Sequence, residues 1–438
     1  MQRRDFLKAG VAGTALSLAQ GAARAEDAPA TPAASTTGED LGRNLVVISV
    51  DGSLLGSDMV DKYKRNGADV WLFDGPRTLP AFSRAFEFLD RESSRITLCR
   101  SHKEILAAKR DGKVAMVFGW QDSEALERES GNDWRDHKPP LTNLRAFYEL
   151  GLRVAGLQYN MANQFGGGCL DPTVPLTIQG KYLVAQMQEL GILVDCGGHI
   201  GEQTSLGILD IARRPVVCTH SNVLALNDNP RCTSDRVIEG IAKTGGVFGV
   251  TAVDGFMTWS RKDAPKAMSG PFPPRAGIAQ FVDQFDYLKH LVGVDHIGLG
   301  PDFINDLEPI DPSKSIEFPP EMTYLQPVTL KYIEGFESVD GLGNVRAEFV
   351  RRGYTPEEIA KIFGGNWMRV SRGVEFVEFH RLLDRQLSSW RRTNRTGCDS
   401  SPTAARAHSG VESNADLAVH HAGGFQRLSV LSHGVARR

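Results

Sequence analysis

From residue 44 onward, short apolar runs of strand type alternate with segments whose apolar residues recur at three and four, and nothing else in the chain constrains the fold as tightly. The strand-like runs are NLVVISV (44–50), KVAMVFG (113–119), LRVAGLQ (152–158), GILVDCG (191–197), PVVCTH (215–220), GGVFGVT (245–251) and HIGLG (296–300). Between them lie helix-period stretches such as NLRAFYEL, GKYLVAQMQEL, SLGILDIARR, SDRVIEGIAKT and IAQFVDQFDYLKHLV. Such alternation predicts a parallel sheet with crossover helices, because parallel neighbours need a long connection between them. Seven or eight units fit an α/β fold of the (β/α)8 TIM-type barrel kind, expected over residues 44–372. No G-x-G-x-x-G follows any run, which argues against a doubly wound dinucleotide fold.

The flanks read differently. Residues 1–25 pair Arg3 and Arg4 ahead of Phe6 and Leu7, continue in a weakly apolar stretch rich in Ala and Gly, and close on Ala23-Arg24-Ala25. That order predicts a twin-arginine signal with a small-residue cleavage site, the twin-arginine export machinery as a partner, and a periplasmic location. The apolar stretch is too short and weak for a bilayer span, so no stable membrane span is expected after cleavage. This export route carries folded proteins, which fits a metal or cofactor acquired before export. Residues 26–43, rich in Pro, Ala, Thr and acid, predict a flexible leader. In residues 373–438 no apolar period survives, and five of the eleven histidines lie between His380 and His433. Two readings stay open there, a disordered tail and translation past a frameshift; in both, His420 and His421 are tail residues rather than ligands.

Charge narrows the function classes. The 50 basic residues are answered by 53 acidic ones, a net charge of -3, and form no long basic stripe, so a small-molecule partner is expected and nucleic acid is not. The six cysteines, Cys99, Cys169, Cys196, Cys218, Cys232 and Cys398, include no C-x-x-C and predict neither a zinc ribbon nor a redox motif. Cys196 and Cys218 lie in strand-like runs and read as small buried hydrophobes, while a disulfide among the others stays open.

In a barrel of this kind chemistry gathers at the C-terminal ends of the strands. Read in order, those positions are Asp51, Gln121 and Asp122, Tyr159 and Asn160, His199, His220 and Asp302. Two histidines at successive strand ends could share a metal ion, or each could be a satisfied structural residue. Cys169, in FGGGCLDP, could be a nucleophile, though no histidine neighbours it in sequence. Gly166 to Gly168 read as a mobile lid rather than an anion cradle. Trp120 and Trp259 are core residues or pocket lining. His102, His290 and His296 read as helix or turn residues, and Gly364 and Gly365 as the turn before the last helix.

Here the chain resembles the membrane dipeptidase (renal dipeptidase) family of zinc peptidases, peptidase family M19. The blocks that carry the resemblance are YELGLRVAGLQYNMANQF, LTIQGKYLVAQMQELGILVDCGGHIGEQT, RPVVCTHSNVLALNDNPRCTSDRVIEGIAKTGGVFGV, HIGLGPDF and FGGNWMRV, in the family's order between about residues 44 and 372. The resemblance implies a (β/α)8 barrel of the metal-dependent hydrolase kind, two zinc ions bridged by a carboxylate, hydrolysis of dipeptides, and a possible homodimer. His199 and His220 match the histidines that bind the second zinc, although VDCGGHIG is one residue longer than the family's run. Arg231, in NPRCTSD, matches the arginine that holds the substrate carboxylate, and Asp302 the acid that holds its amine.

The other half of the family's site is replaced. Where the family has D-G-H-x-D at the end of its first strand, this chain has Ser53 and Leu55 in place of the His and Asp. The bridging glutamate falls at Gln121, and a histidine held to stabilise the transition state falls at Tyr159. Without those carboxylates two close dications would be poorly neutralised, so the expected cofactor is at most one zinc, on His199 and His220 and completed by Asp51, Gln121, Asp302 or water. Three functions follow: a hydrolase of a dipeptide or related small amide, with Gln121, Tyr159 and Asp302 in the chemistry and Arg231, Asp302 and Tyr159 on the substrate; a periplasmic tailoring enzyme for a secreted peptide product such as a siderophore; or a non-catalytic peptide-binding protein on the same fold.

Overall fold

The computed structural model describes residues 47–51, 55–126, 142–260, 274–304 and 332–372. The signal, leader and tail expected from the sequence lie outside the described residues. Parallel strands β1 (Val47–Asp51), β2 (Val70–Asp74), β4 (Val114–Trp120), β5 (Leu152–Ala155), β6 (Leu193–Asp195), β7 (Val216–Val223), β9 (Phe248–Val250) and β10 (Ile297–Leu299) follow one another through a curled sheet in chain order. Two short strands lie off this path, β3 (Ile96–Leu98) against β4 and β8 (Cys232–Thr233) against β7. The fold is the α/β barrel class that the alternation predicts. Strand β2, VWLFD, is a member the sequence reading passes over; it pairs with β1 on one side and β4 on the other.

A period of two sorts the strand side chains onto two apolar faces. Val70, Leu72, Ala115, Val117, Val154 and Val217 join Val47, Val247 and Trp367 in one buried cluster. Trp71, Val114, Met116, Phe118 and Val194, one residue out of step, join the helices in the larger one. Burial on both faces is why these strands read as continuous apolar runs instead of alternating ones. The helices begin where their caps dictate. Thr177 accepts a hydrogen bond from Gly180 N at 3.0 Å to open Ile178–Leu190, which ends at Gly191 in the left-handed region, φ 87°.

Near the end of the barrel the backbone departs from expectation. Gly364 and Gly365 do not break the chain into a separate turn: Lys361–Gly365 is π-helical and runs directly into helix Asn366–Ser371. Trp367 of that helix lies across β10, where a Cβ on Gly298 would come within 2.4 Å of the indole nitrogen, and it donates to Leu299 O at 3.1 Å. Only glycine allows this close approach. Among the described residues no helix is long and apolar enough to cross a membrane.

Candidate active site

At the C-terminal ends of the strands, His199, His220, Arg231, Tyr159 and Asp302 come together. His220 sits within β7 and His199 follows β6; their ring centroids are 4.9 Å apart. Tyr159 stacks on His199 with centroids 4.1 Å apart. Asp302 Oδ2 lies 3.9 Å from His220 Nε2.

The hydrogen bonds fix both imidazole tautomers. Asn160 Oδ1 accepts from His199 Nδ1 at 2.6 Å and from the Cys169 thiol at 3.4 Å. His199 Nε2 therefore carries the lone pair, and it accepts from Arg231 Nη2 at 3.0 Å. The Thr219 hydroxyl donates to buried Asp195, so its oxygen is left to accept from His220 Nδ1 at 2.8 Å. His220 Nε2 thus also keeps its lone pair, and it is buried with no hydrogen-bond partner among the described residues. Burial holds both histidines well below the usual imidazole range, with the Arg231 charge adding to the effect, so both rings are neutral at pH 7. Burial likewise lifts the Asp195 carboxyl to about 7, against the opposing pull of its bonds to Thr219.

Arg231 is 1% exposed and makes no ion pair among the described residues. Its guanidinium lies over the Phe256 ring at 4.8 Å, and Nη1 is buried without a hydrogen-bond partner. Gly198 makes room for it: a Cβ there would lie 2.8 Å from Nη1, and the backbone has φ 58°. Gly197, the residue before it, also has positive φ. Among the described residues two that are not glycine share that left-handed region, Asn160 at φ 64° and Asp302 at φ 62°. Both stand at strand ends beside the histidines, where backbone strain commonly marks function. Tyr332 holds the Asp302 turn, donating to its carbonyl at 2.8 Å and accepting from Ile304 N at 2.7 Å.

Other sequence-based expectations meet mixed outcomes. Ser53 and the Asp51 side chain lie outside the described residues. Leu55 is partly buried and packs against the main apolar cluster. Gln121 is buried at the end of β4, its backbone N–H donating to Asp74 at 3.2 Å. Asp122 turns to Arg77 at 3.1 Å, and Arg77 also pairs with Asp74 at 2.9 Å. This trio flanks Tyr159, whose hydroxyl is raised first by desolvation, then by Asp302, with Asp74 and Asp122 adding to it. The expected mobile lid is instead pinned: Gly167 N donates to Thr204 at 2.8 Å, and Gly201 N to Gly167 O at 2.9 Å. Cys169 has a histidine neighbour after all, since its backbone N–H donates to His199 O at 2.8 Å. Among the described residues Cys99, Cys169, Cys196, Cys218 and Cys232 form no disulfide with one another. Trp120 is buried with its indole on Pro76 O at 3.0 Å, a core role. Sequence reasoning misses Thr219, Asp195, Asp74 and Arg77; only the Asp at the end of LVD and the Thr before His220 offered a local signal.

Comparison with known proteins points one way. Residues 74–314 match the family model of membrane dipeptidases (peptidase family M19). The chain is 26% identical over 289 residues to the dipeptidase tcpJ of Claviceps purpurea, covering 65% of this chain and 57% of that protein. It is 28% identical over 295 residues to an uncharacterized protein of the pqqA 5' region of Klebsiella pneumoniae, covering 66% of this chain and 92% of that one. The chain thus spans little more than half of the fungal relative it matches. Among solved structures, an amidohydrolase from Pseudomonas aeruginosa superposes with TM-score 0.61 at 23% identity, over 77% of this chain and 99% of that one. The probable dipeptidase PvdM of the same organism gives 0.60 at 20%, over 77% and 97%. These likenesses confirm the fold. With the family model matching more than half of its 438 residues, the chain belongs to the membrane dipeptidase family, peptidase family M19, a family of hydrolases.

Proposed function

We propose that this chain is an exported, metal-dependent hydrolase that cleaves a dipeptide or a related small amide and retains no more than one metal ion. Arg231 carries the reading. A guanidinium buried beside two neutral imidazoles, with Nη1 unpartnered, is costly to hold in a folded protein unless a ligand neutralises it. Its fork suits a substrate carboxylate. Asp302, 3.9 Å from His220 Nε2, suits the substrate amine, and Tyr159 presents a hydroxyl that stays protonated at neutral pH.

Among the described residues no group of three His, Cys, Asp or Glu side chains is arranged to hold a metal. The orphaned lone pair of His220 Nε2 and the neighbouring Asp302 carboxylate are two donors, and His199 would be a third only with Arg231 off its Nε2. A second ion would be poorly neutralised, because Leu55 offers no donor and Gln121 brings no charge. When bound, the metal supplies Lewis-acid polarisation of the scissile carbonyl. Elemental analysis of the purified protein should give close to one zinc per chain, absent from a His199→Ala, His220→Ala double variant, with dipeptide turnover lost on chelation. A metal-free protein whose turnover ignores chelators would sink the proposal.

One observation favours a second reading, tailoring of an exported peptide product such as a siderophore. Arg231 on His199 and Asp302 beside His220 are both in place, while Leu55 packs against the core. Mass spectrometry separates the two: a hydrolase yields two fragments, and a tailoring enzyme one modified peptide.

A further inference from the structure

We infer that His199, set by Asn160, is a positioning residue for Arg231: an uncharged acceptor that fixes the direction of the guanidinium and leaves its charge to a ligand's carboxylate. The inference rests on the reading of Arg231 as the carboxylate holder and calls on no metal ion.

A buried guanidinium binds well only if something holds it still. In the ordinary case an aspartate or glutamate does so, and by pairing with the arginine it also cancels the charge that would attract an anionic ligand. Here the backbone of Arg231 is pinned on both sides, its N–H donating to Asn229 Oδ1 at 2.9 Å and its carbonyl accepting from the Ser221 hydroxyl at 2.8 Å. The side chain is aimed by two uncharged rings. Phe256 lies against the guanidinium at 4.8 Å, and His199 Nε2 accepts from Nη2 at 3.0 Å. Neither neutralises it. One N–H of Nη2 stays on His199 while the second, with the unpartnered Nη1, presents the two-bond fork that a carboxylate favours.

The arrangement depends on which nitrogen of His199 carries the hydrogen. A neutral imidazole has one N–H and one lone pair, and with the hydrogen on Nε2 it would meet Arg231 donor to donor. Asn160 decides this. Its Oδ1 accepts from His199 Nδ1 at 2.6 Å and from the Cys169 thiol at 3.4 Å, two donors that keep the amide oxygen on this side. Leu170 N, donating to Asn160 O at 2.9 Å, ties down the left-handed backbone that places this side chain, φ 64°. Tyr159, stacked on the ring at 4.1 Å, restrains its plane.

The test is calorimetric titration of the full chain with N-acetylalanine and with N-acetylalanine amide, a chelator being present throughout. The unaltered protein should bind the acid more tightly than the amide. His199→Phe keeps a ring beside Tyr159 and loses the acceptor, so acid affinity should fall about tenfold with amide affinity unchanged. His199→Gln, which returns a side-chain oxygen as acceptor, should restore most of it. Asn160→Gly suits the left-handed backbone and removes only the side chain, so it should weaken acid binding by a similar factor, and it decides the matter if His199→Phe fails to fold. Acid affinity unchanged or raised in these variants, while Arg231→Met abolishes the preference, overturns the positioning role and leaves the reading of Arg231 standing. Acid and amide affinities falling together, with no rescue by His199→Gln, would make His199 merely structural and also overturns it. An unaltered protein that binds acid and amide equally overturns both.

Discussion

Arg231 Nη2 donates to His199 Nε2 at 3.0 Å, so a buried guanidinium is satisfied by an imidazole where a carboxylate would be the ordinary partner. Replacing Arg231 by methionine removes a buried charge whose Nη1 is unpartnered, at the cost of one hydrogen bond to His199. The variant should be more stable by roughly 1–2 kcal/mol in urea unfolding, since unpaired buried ions commonly oppose folding. It should also lose its preference for ligands with a free carboxylate by about 30- to 100-fold, read as the ratio of acid to amide affinities. A less stable variant that kept the preference would show that the arginine is structural.

Asp195 predicts a pH dependence. Its carboxyl titrates near 7 in the folded protein against 3.8 ordinarily, because burial disfavours the charge. Between those values the folded state binds more protons than the unfolded one, so this residue makes stability fall as pH rises, with the full penalty above pH 7. The penalty is at most about 4 kcal/mol. Asp195→Asn should flatten the decline in urea midpoint between pH 4 and 8, and parallel curves for the two proteins would refute the assignment.

Gly198 is needed twice, for its left-handed backbone and for the space its missing Cβ leaves to Arg231. Gly198→Ala should cost about 1–2 kcal/mol from the backbone alone. Gly343, inside a helix and with open space around it, is the control; Gly343→Ala should stabilise slightly.

Restoring the family's ligands tests the one-metal reading from the other side. Ser53→His, Leu55→Asp and Gln121→Glu together return the replaced donors. The triple variant should bind one zinc ion per chain more than the unaltered protein does, by elemental analysis. A count that does not rise would mean that more than these three side chains separates this site from the family's.

The sequence by itself determined the barrel class, the two faces of each strand and the positions where chemistry could sit, because period and apolar pattern are local consequences of backbone geometry. It passed over β2 (VWLFD), a short run whose strand identity depends on pairing with β1 and β4. The family blocks made His199, His220, Arg231 and Asp302 legible as a set. What only the tertiary structure decided is how they face one another. Thr219 and Asp195 orient His220, Asn160 and Arg231 orient His199, and Asp74 with Arg77 fills the flank beside Gln121. Asn160 follows β5, Thr219 lies within β7 and Arg231 stands just before β8, and a hydrogen bond between residues 32 or 39 positions apart leaves no periodic trace in the chain. Tautomer, burial and the partner of a charge are properties of convergence, and convergence exists only once the sheet has curled.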